Sequence, residues 1–280
     1  MTDARTVPHP LPDVAASGIG SGVWLGLLHV IMYSGGICSW ATAKRVVERH
    51  GKENVALLFA DTMMEDEDLY RFLDESAENI GVPLIKIADG RTPWEVFDDV
   101  KALGSTRMDP CSRILKREIL DRWVRDNAPD ATQHFGLDWT ETHRLEKLRA
   151  RKAPRKVEAY MTEAPRMEKP DMLAWLAREG IRAPRLYEMG FAHNNCGGFC
   201  VKAGQAQFAL LLRTMPDRYR FHEEREETLR EKLGWRQTIL RDQSGGMVRP
   251  ITLREFRERL EADATLFDRH EWGGCGCATA

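Results

Sequence analysis

Apolar runs and amphipathic stretches alternate along most of this chain. The run "VWLGLLHVIMY" (Val23–Tyr33) is rich in Val, Leu and Ile and reads as a buried strand. In "SWATAKRVVERH" after it, Trp40, Ala43, Val46 and Val47 fall at helical spacing, with Arg45, Glu48 and Arg49 toward water. "NVALLFA" (Asn54–Ala60) predicts a second buried strand that ends in Asp61-Thr62. Glu65–Gly81 predicts an acid-started amphipathic helix with a glycine stop. "PLIKIA" predicts a third strand, and "PWEVFDDVKALG" and Ser112–Asn127 predict helices, the second more strongly. Ala131–Leu137 and "KVEAYM" predict strands four and five. This alternation predicts an α/β fold, a doubly wound and mostly parallel sheet with helices on both faces. Ligands of such sheets gather beyond the carboxyl ends of the strands, where Ser34, Asp61 and Gly136 all fall.

The pattern changes after Pro170. "DMLAWLAREGI" predicts a short helix, followed by a Gly- and Asn-rich stretch with two cysteines. Two helices split at Pro216 follow, and "TLREFRERLEAD" predicts one more before "RHEWGGCGCATA". No internal repeat is present. The expected organisation is a flexible leader over 1–21, an α/β domain over 22–165, and a cysteine-containing helical lobe with a tail over 166–280.

The 280 residues, 42% hydrophobic and 30% charged, are enough for a sizeable core. A formal net charge of -2 gives no global pull toward nucleic acid. "RLEKLRARKAPRK" (Arg144–Lys156) reads either as a solvated helix end or as a local positive rim. The longest apolar run, interrupted by His29, is too short to span a bilayer. No basic segment precedes it and no small-residue cleavage site follows, so it does not read as a signal peptide. A cytoplasmic location is expected, with the six cysteines as thiols or metal ligands rather than disulfides.

Ser34-Gly35-Gly36 sits where the first strand delivers its backbone to a helix N-terminus, where free N–H groups and the macrodipole attract anions. Gly35 and Gly36 permit close approach and positive φ, while Ser34 and Ser39 add hydroxyls, Ser39 also as a helix cap. The dipole contributes roughly 0.3–2 kcal/mol, so N–H contacts must supply the rest. The same residues also suit a plain strand-to-helix turn. Asp61-Thr62 reads either as a cap for the next helix or as a carboxylate for a sugar, an amine or Mg²⁺. In "GLDWTETHR", Glu141 and Arg144 are three apart and can pair on one helix face. Alternatively, Arg144 forks onto phosphate or sulfate.

Cys196 and Cys200 flank Gly-Gly-Phe, and Cys275 and Cys277 flank one Gly, in segments where thiols can converge on a metal. Thiolate sets select zinc or iron–sulfur clusters, although neither gap is the two-residue spacing of zinc ribbons. Cys111 stands apart before a helix, and Cys38 suits a buried structural role. A C-terminal "GGCGC" also suits a nucleophile or dithiol. His193 and His270, near the cysteine pairs, read first as loop or surface hydrogen-bonding groups and only then as ligands.

Five segments in this order resemble the PP-loop family, in its branch of phosphoadenosine-phosphosulfate (PAPS) reductase-like proteins. They are "YSGGICSWA", "LLFADT", "PCSRILKREIL", "GLDWTETHR" and "LYEMGFAHNNCGGFC", and together they cover roughly residues 23 to 215. The resemblance implies an adenine nucleotide α-hydrolase-like fold with ATP or PAPS over the sheet. The phosphates or sulfate would lie on Ser34, Gly35, Gly36 and Ser39, with Asp61, Gly136 and Glu141 nearby, and Lys116, Arg117 and Arg144 toward the anionic end. In cluster-bearing relatives, cysteines at the places of Cys111, Cys196 and Cys200 hold an iron–sulfur cluster, so a [4Fe-4S] cluster or zinc is the metal expectation. Cys38 stands where the family's loop usually carries Asp, which leaves Mg²⁺ open. The Cys196–Cys200 gap is one residue longer than the family's, and the tail lacks the Glu-Cys-Gly-x-His surroundings of the reductases.

The first functional expectation is a PAPS reductase-like enzyme in which Cys275 or Cys277 attacks a sulfonate sulfur, aided by Arg144 and loop donors. The second is an ATP-dependent adenylating sulfurtransferase acting on RNA or DNA. The third, of another class, is a non-catalytic nucleotide binder with structural zinc. Candidate partners are an adenine nucleotide, a thiol donor protein, a nucleic-acid acceptor and a second copy in a homodimer, with no membrane.

Overall fold

The structure is a computed structural model that describes residues 26, 28–242, 248–263 and 265. Its centre is a five-stranded sheet, β1 (His29–Met32), β2 (Val55–Asp61), β3 (Leu84–Ala88), β4 (Thr132–Phe135) and β5 (Val157–Glu158), in the order β3-β2-β1-β4-β5. Every pairing is parallel. The chain winds outward from β1 to β3 and then returns to the other side of β1. The switch point therefore falls between the carboxyl ends of β1 and β4, where Met32 pairs with Phe135.

Alternate strand residues feed opposite faces. Ile31, Leu57 and Phe59 pack against α1 (Ile37–His50), α2 (Glu67–Ile80) and α7 (Lys169–Arg178), with Trp40, Phe72 and Leu176 fully buried. Val30, Ala56 and Leu58 pack instead against α5 (Ile119–Asn127) and α6 (Thr142–Lys152), through Val124, Leu145 and Leu148. The expected two-faced α/β sheet is the observed one. Asp66 caps α2 by accepting from the Asp68 N–H at 3.0 Å, and Gly81 ends the helix with φ 75°.

Element boundaries depart from the periodicity for physical reasons. β1 pairs with β2 and β4 from His29 onward, opposite Val55 and Thr132. β5, at the sheet edge, pairs two residues before the chain turns into a 3₁₀ segment at Tyr160–Thr162. α3 (Pro93–Asp99) ends well before Gly104. The basic helix starts early, as α4 (Pro110–Ser112), and widens into a π turn over Arg113–Glu118 before α5. Such turns are frequent at functional sites.

The C-terminal lobe has its own core, built on Trp94, Phe97, Phe199, Phe208, Tyr219 and Phe256. It contains α8 (Arg185–Glu188), α9 (Gln205–Thr214), α10 (Pro216–Leu233) and α11 (Leu253–Ala262). A hairpin of β6 (Leu240–Asp242) and β7 (Arg249–Ile251), absent from the periodicity reading, packs with them. No helix among the described residues is long and apolar enough to cross a membrane.

At the amino end of the strands, His134 is fully buried and shares a 3.0 Å hydrogen bond with His29, and His29 stacks on His50. Burial, with His29 and His50 nearby, pushes the His134 pKa down to about 3. The unfolded chain therefore takes up this proton first. The contribution of neutral His134 is whole above the ordinary value of 6.5 and is lost progressively as pH falls toward 3. Each pH unit in that window removes up to about 1.4 kcal/mol, so stability should fall by about 2 kcal/mol between pH 6.5 and pH 5. His134→Gln should flatten that slope in denaturant titrations at several pH values. Equal slopes in both proteins would refute it.

Candidate functional site

The two glycines of the loop after β1 play different parts in its geometry. Gly35 has φ +71°, and a Cβ there would meet Leu69 Cδ1 at 2.6 Å. Gly36 is extended (φ -93°, ψ 157°) and N-caps α1, so the expectation of positive φ there is corrected. The Ser39 hydroxyl does not cap a free N–H either; it donates back to the Gly36 carbonyl at 2.7 Å. Residues from the second half of the chain complete the turn. The Tyr187 hydroxyl accepts from the Ile37 N–H at 3.1 Å, and the Asn194 amide donates to the Gly35 carbonyl at 3.0 Å. Burial pushes the Tyr187 hydroxyl up to about 12, so it keeps a proton to donate.

Two cavities meet at this loop and share Ser34, Gly136 and Asn195 as walls. The first, of about 270 Å³, lies over the sheet against Met32, Leu58, Leu120 and Phe135, with Arg113 and Arg151 also on its walls. The second, of about 160 Å³, lies at the α1 N-terminus and is lined by Gly36, Arg144, Lys169, Tyr187, His193 and Asn194. Gly136 lies so close to α1 that a Cβ on it would sit 2.7 Å from the Ser39 nitrogen. The Arg144–Lys156 run is α6 and the turn after it, and Arg151 and Lys152 bring it to the rim of the first cavity.

The structure places the other candidates as follows. Arg144 pairs with Glu141, as their spacing allows, and both line the second cavity. Cys38 lines it too, but burial, with Asp138 nearby, pushes its thiol up to about 12. Asp61 is held by the Tyr70 hydroxyl at 2.9 Å and by the Met63 N–H, and lies on neither cavity wall. Arg117 lines the first cavity and pairs with Asp109 at 3.0 Å. Lys116 lines the first cavity and also a narrow third one, of about 20 Å³.

That third cavity brings Cys111, Cys196 and Cys200 together, although they lie far apart in sequence. Glu65, read from sequence only as a helix start, is buried beside them. It accepts hydrogen bonds from Thr62 at 2.9 Å, Lys116 at 3.2 Å and the Cys196 N–H at 2.5 Å. Cys196 and Gly197 both take positive φ, 51° and 56°, so the backbone itself presents this turn. Burial pushes the Cys111 thiol up to about 11. Among the described residues, no group of three or more Cys, His, Asp or Glu side chains is arranged to hold a metal. The three sulfurs as they stand therefore do not fit a [4Fe-4S] cluster or zinc. Cys275, Cys277 and His270 lie outside the described residues.

Lys169, Tyr187, Asn194, Asn195 and Glu65 were not singled out by sequence reasoning. The "LYEMGFAHNNC" segment was a sufficient signal for Tyr187 and both asparagines, whereas Lys169 lies in no motif. No curated protein matches the chain. Among solved structures, the chain is similar to an NH3-dependent NAD synthetase from Campylobacter jejuni subsp. jejuni in complex with the nitrate ion. That likeness has 13% identity and a TM-score of 0.39 over 88% of this chain and 89% of that chain, too distant to bear on activity. The family model of the phosphoadenosine phosphosulfate reductase domain matches residues 28–199, a span that holds the loop, both of its cavities, Cys111 and Cys196, and that ends one residue before Cys200. Over that span, which is more than half of its length, the chain belongs to the phosphoadenosine phosphosulfate reductase domain family.

Proposed function

We propose that this protein is an enzyme that binds an adenine nucleotide across the two joined cavities and acts on its sulfonyl or phosphoryl end. The observation that carries the reading is the junction at Ser34, Gly136 and Asn195. An apolar-walled cavity sized for a nucleoside opens there into a smaller one lined by hydroxyl, amide and cationic groups. The Ser34–Gly36 loop and the α1 N-terminus take the anion, and Arg144 forks onto it once Glu141 shares its guanidinium. Nucleoside rings rest on Met32, Leu58 and Phe135.

With PAPS as substrate, the reaction is reductive. A thiolate of Cys275 or Cys277 attacks the sulfonate sulfur, a new S–S bond forms, and the S–O bond to the 5′-phosphate breaks. The phosphate leaves with the bonding pair, and Arg144 and the loop donors stabilise its charge. A thiol donor then attacks the cysteine sulfur, releasing sulfite. With ATP as substrate, an acceptor oxygen attacks the α-phosphorus and pyrophosphate leaves, the first step of sulfur insertion into RNA or DNA.

The assay that separates them supplies PAPS with a dithiol, or ATP with an RNA or DNA acceptor. Sulfite from PAPS, lost in Cys275→Ser/Cys277→Ser, is the expected result. Acceptor-dependent pyrophosphate would move the assignment to the adenylating enzyme. Binding without either product would leave a nucleotide-binding protein.

A further inference from the structure

The second cavity contains a cation that the fold does not explain. Lys169 is the first residue of α7, where the positive end of the helix dipole disfavours a cation and acids are the usual choice. Its ammonium bonds to the carbonyls of Ala192 at 2.9 Å and Phe191 at 3.4 Å, and lies 3.8 Å from the centroid of the Tyr187 ring. Among the described residues, no carboxylate stands within ion-pair distance of it. The other cavity cations differ: Arg144 has Glu141, Lys116 has Glu65 and Arg117 has Asp109.

A second observation points to a ligand at the same place. Asn194 is buried and lines this cavity, yet its Oδ1 has no partner. The Gly35 carbonyl fixes which way the amide faces, since only Nδ2 can donate to it. A buried acceptor left unmet costs about 1–3 kcal/mol, and a donor on a bound nucleotide, such as a ribose hydroxyl, would meet it. Desolvation also lowers the Lys169 pKa to about 8, the response of a buried ammonium with no counter-ion.

We propose that Lys169 binds the terminal oxyanion of the ligand, the group beyond the first phosphate, and so selects nucleotides with a phosphosulfate or polyphosphate end over nucleoside monophosphates. This rests on the nucleotide reading above. It adds a specificity residue that lies in none of the motifs. Lys169 comes from α7 and lines the same cavity as Ser34 and Gly36 of the loop, so two separate segments can hold the terminal group. Tyr187 serves both, capping the Ile37 N–H with its hydroxyl and carrying the ammonium on its ring.

The test is calorimetric titration of the full chain with ATP, AMP and inorganic diphosphate, for wild type, Lys169→Ala and Lys169→Arg. Lys169→Ala should weaken ATP and diphosphate by about 10- to 100-fold and leave AMP nearly unchanged, while Lys169→Arg should retain most of the affinity. Raising the pH from 7 to 9 should weaken diphosphate binding by wild type relative to Lys169→Arg, because arginine stays charged. That ratio cancels the titration of diphosphate and of the other groups facing the cavity: Arg144, His193, Tyr187, Cys38, Asp138 and Glu141. Equal losses of ATP and AMP, no loss of either, or Lys169→Arg as weak as Lys169→Ala would overturn the proposal. Diphosphate binding without nucleotide binding would sink the nucleotide reading and leave Lys169 to be judged on the diphosphate arm alone. A wild type that binds none of the three would overturn both.

Discussion

Gly136→Ala is expected to abolish nucleotide binding while Gly36→Ala leaves it nearly intact. The contrast follows from where each added methyl would go. At Gly136 the new Cβ would stand 2.7 Å from the Ser39 nitrogen, 2.8 Å from its Cα and 3.0 Å from the Cys38 carbonyl carbon. These are backbone atoms in the first turn of α1, and they cannot rotate aside as a side chain could. The end of β4 and the start of α1 would have to part, displacing the loop and the N–H groups that would face the anion. Gly136 also walls both cavities, so the shift falls on their junction. We expect about 1–3 kcal/mol of destabilisation from the overpacking and a loss of nucleotide affinity of about 100-fold or more, equivalent to about 3 kcal/mol. Gly36 is extended, and its Cβ would meet the Tyr187 hydroxyl at 3.4 Å, close to ordinary contact. Titrating both variants with nucleotide, beside thermal melts, checks this. Wild-type affinity in Gly136→Ala would show that the approach of β4 to α1 does not shape the site.

Asp66→Ala should be strongly destabilising. Asp66 is 1% exposed and does three things at once. It caps α2, and it receives the Arg185 guanidinium on both oxygens, at 2.8 and 2.9 Å. Its charge also faces Arg218, at 3.9 Å. Removing the carboxylate takes away the bidentate partner of Arg185, which keeps only Glu67 at 4.0 Å, removes the charge facing Arg218, and exposes an orphan N–H at the helix start. Losing one partner of a buried pair costs about 3–5 kcal/mol, and the cap about 1 kcal/mol. Because Arg185 is about one-third exposed, water offsets part of this, and we expect about 3 kcal/mol in total. Asp66→Asn retains a cap oxygen and should cost less. Denaturant titration measures both, and a change below about 1 kcal/mol for Asp66→Ala would refute the role.

These two residues mark the limits of what periodicity could reveal. Gly136 was legible as a residue at a strand end, and its place in "GLDWTETHR" marked it again. Asp66 was hidden in "EDEDLYRF", where Glu65, Asp66, Glu67 and Asp68 look alike. Their fates diverge because a helix start gives each acid its own direction. Asp66 caps and meets Arg185, Asp68 meets Arg71 and Arg182, and Glu65 turns toward the cysteines. Arg185 lies 119 positions from Asp66, a distance no spacing rule spans.

The sequence by itself determined the α/β class, the five strands and the helices between them, since strands buried on both faces demand continuous apolar runs and the helices covering them demand stripes of period 3.6. It also marked the loop Ser34-Gly35-Gly36, because a strand-to-helix turn with free N–H groups must be written in small residues. Only the tertiary structure decided that Cys111, Cys196 and Cys200 share one pocket, that Tyr187 and Asn194 finish the loop, and that Lys169 faces it. The Tyr187 and Asn194 contacts join α1 and its loop to a segment 150 and 159 positions away. Such pairings depend on how the elements stack, and stacking follows shape and volume across the whole core rather than any local pattern.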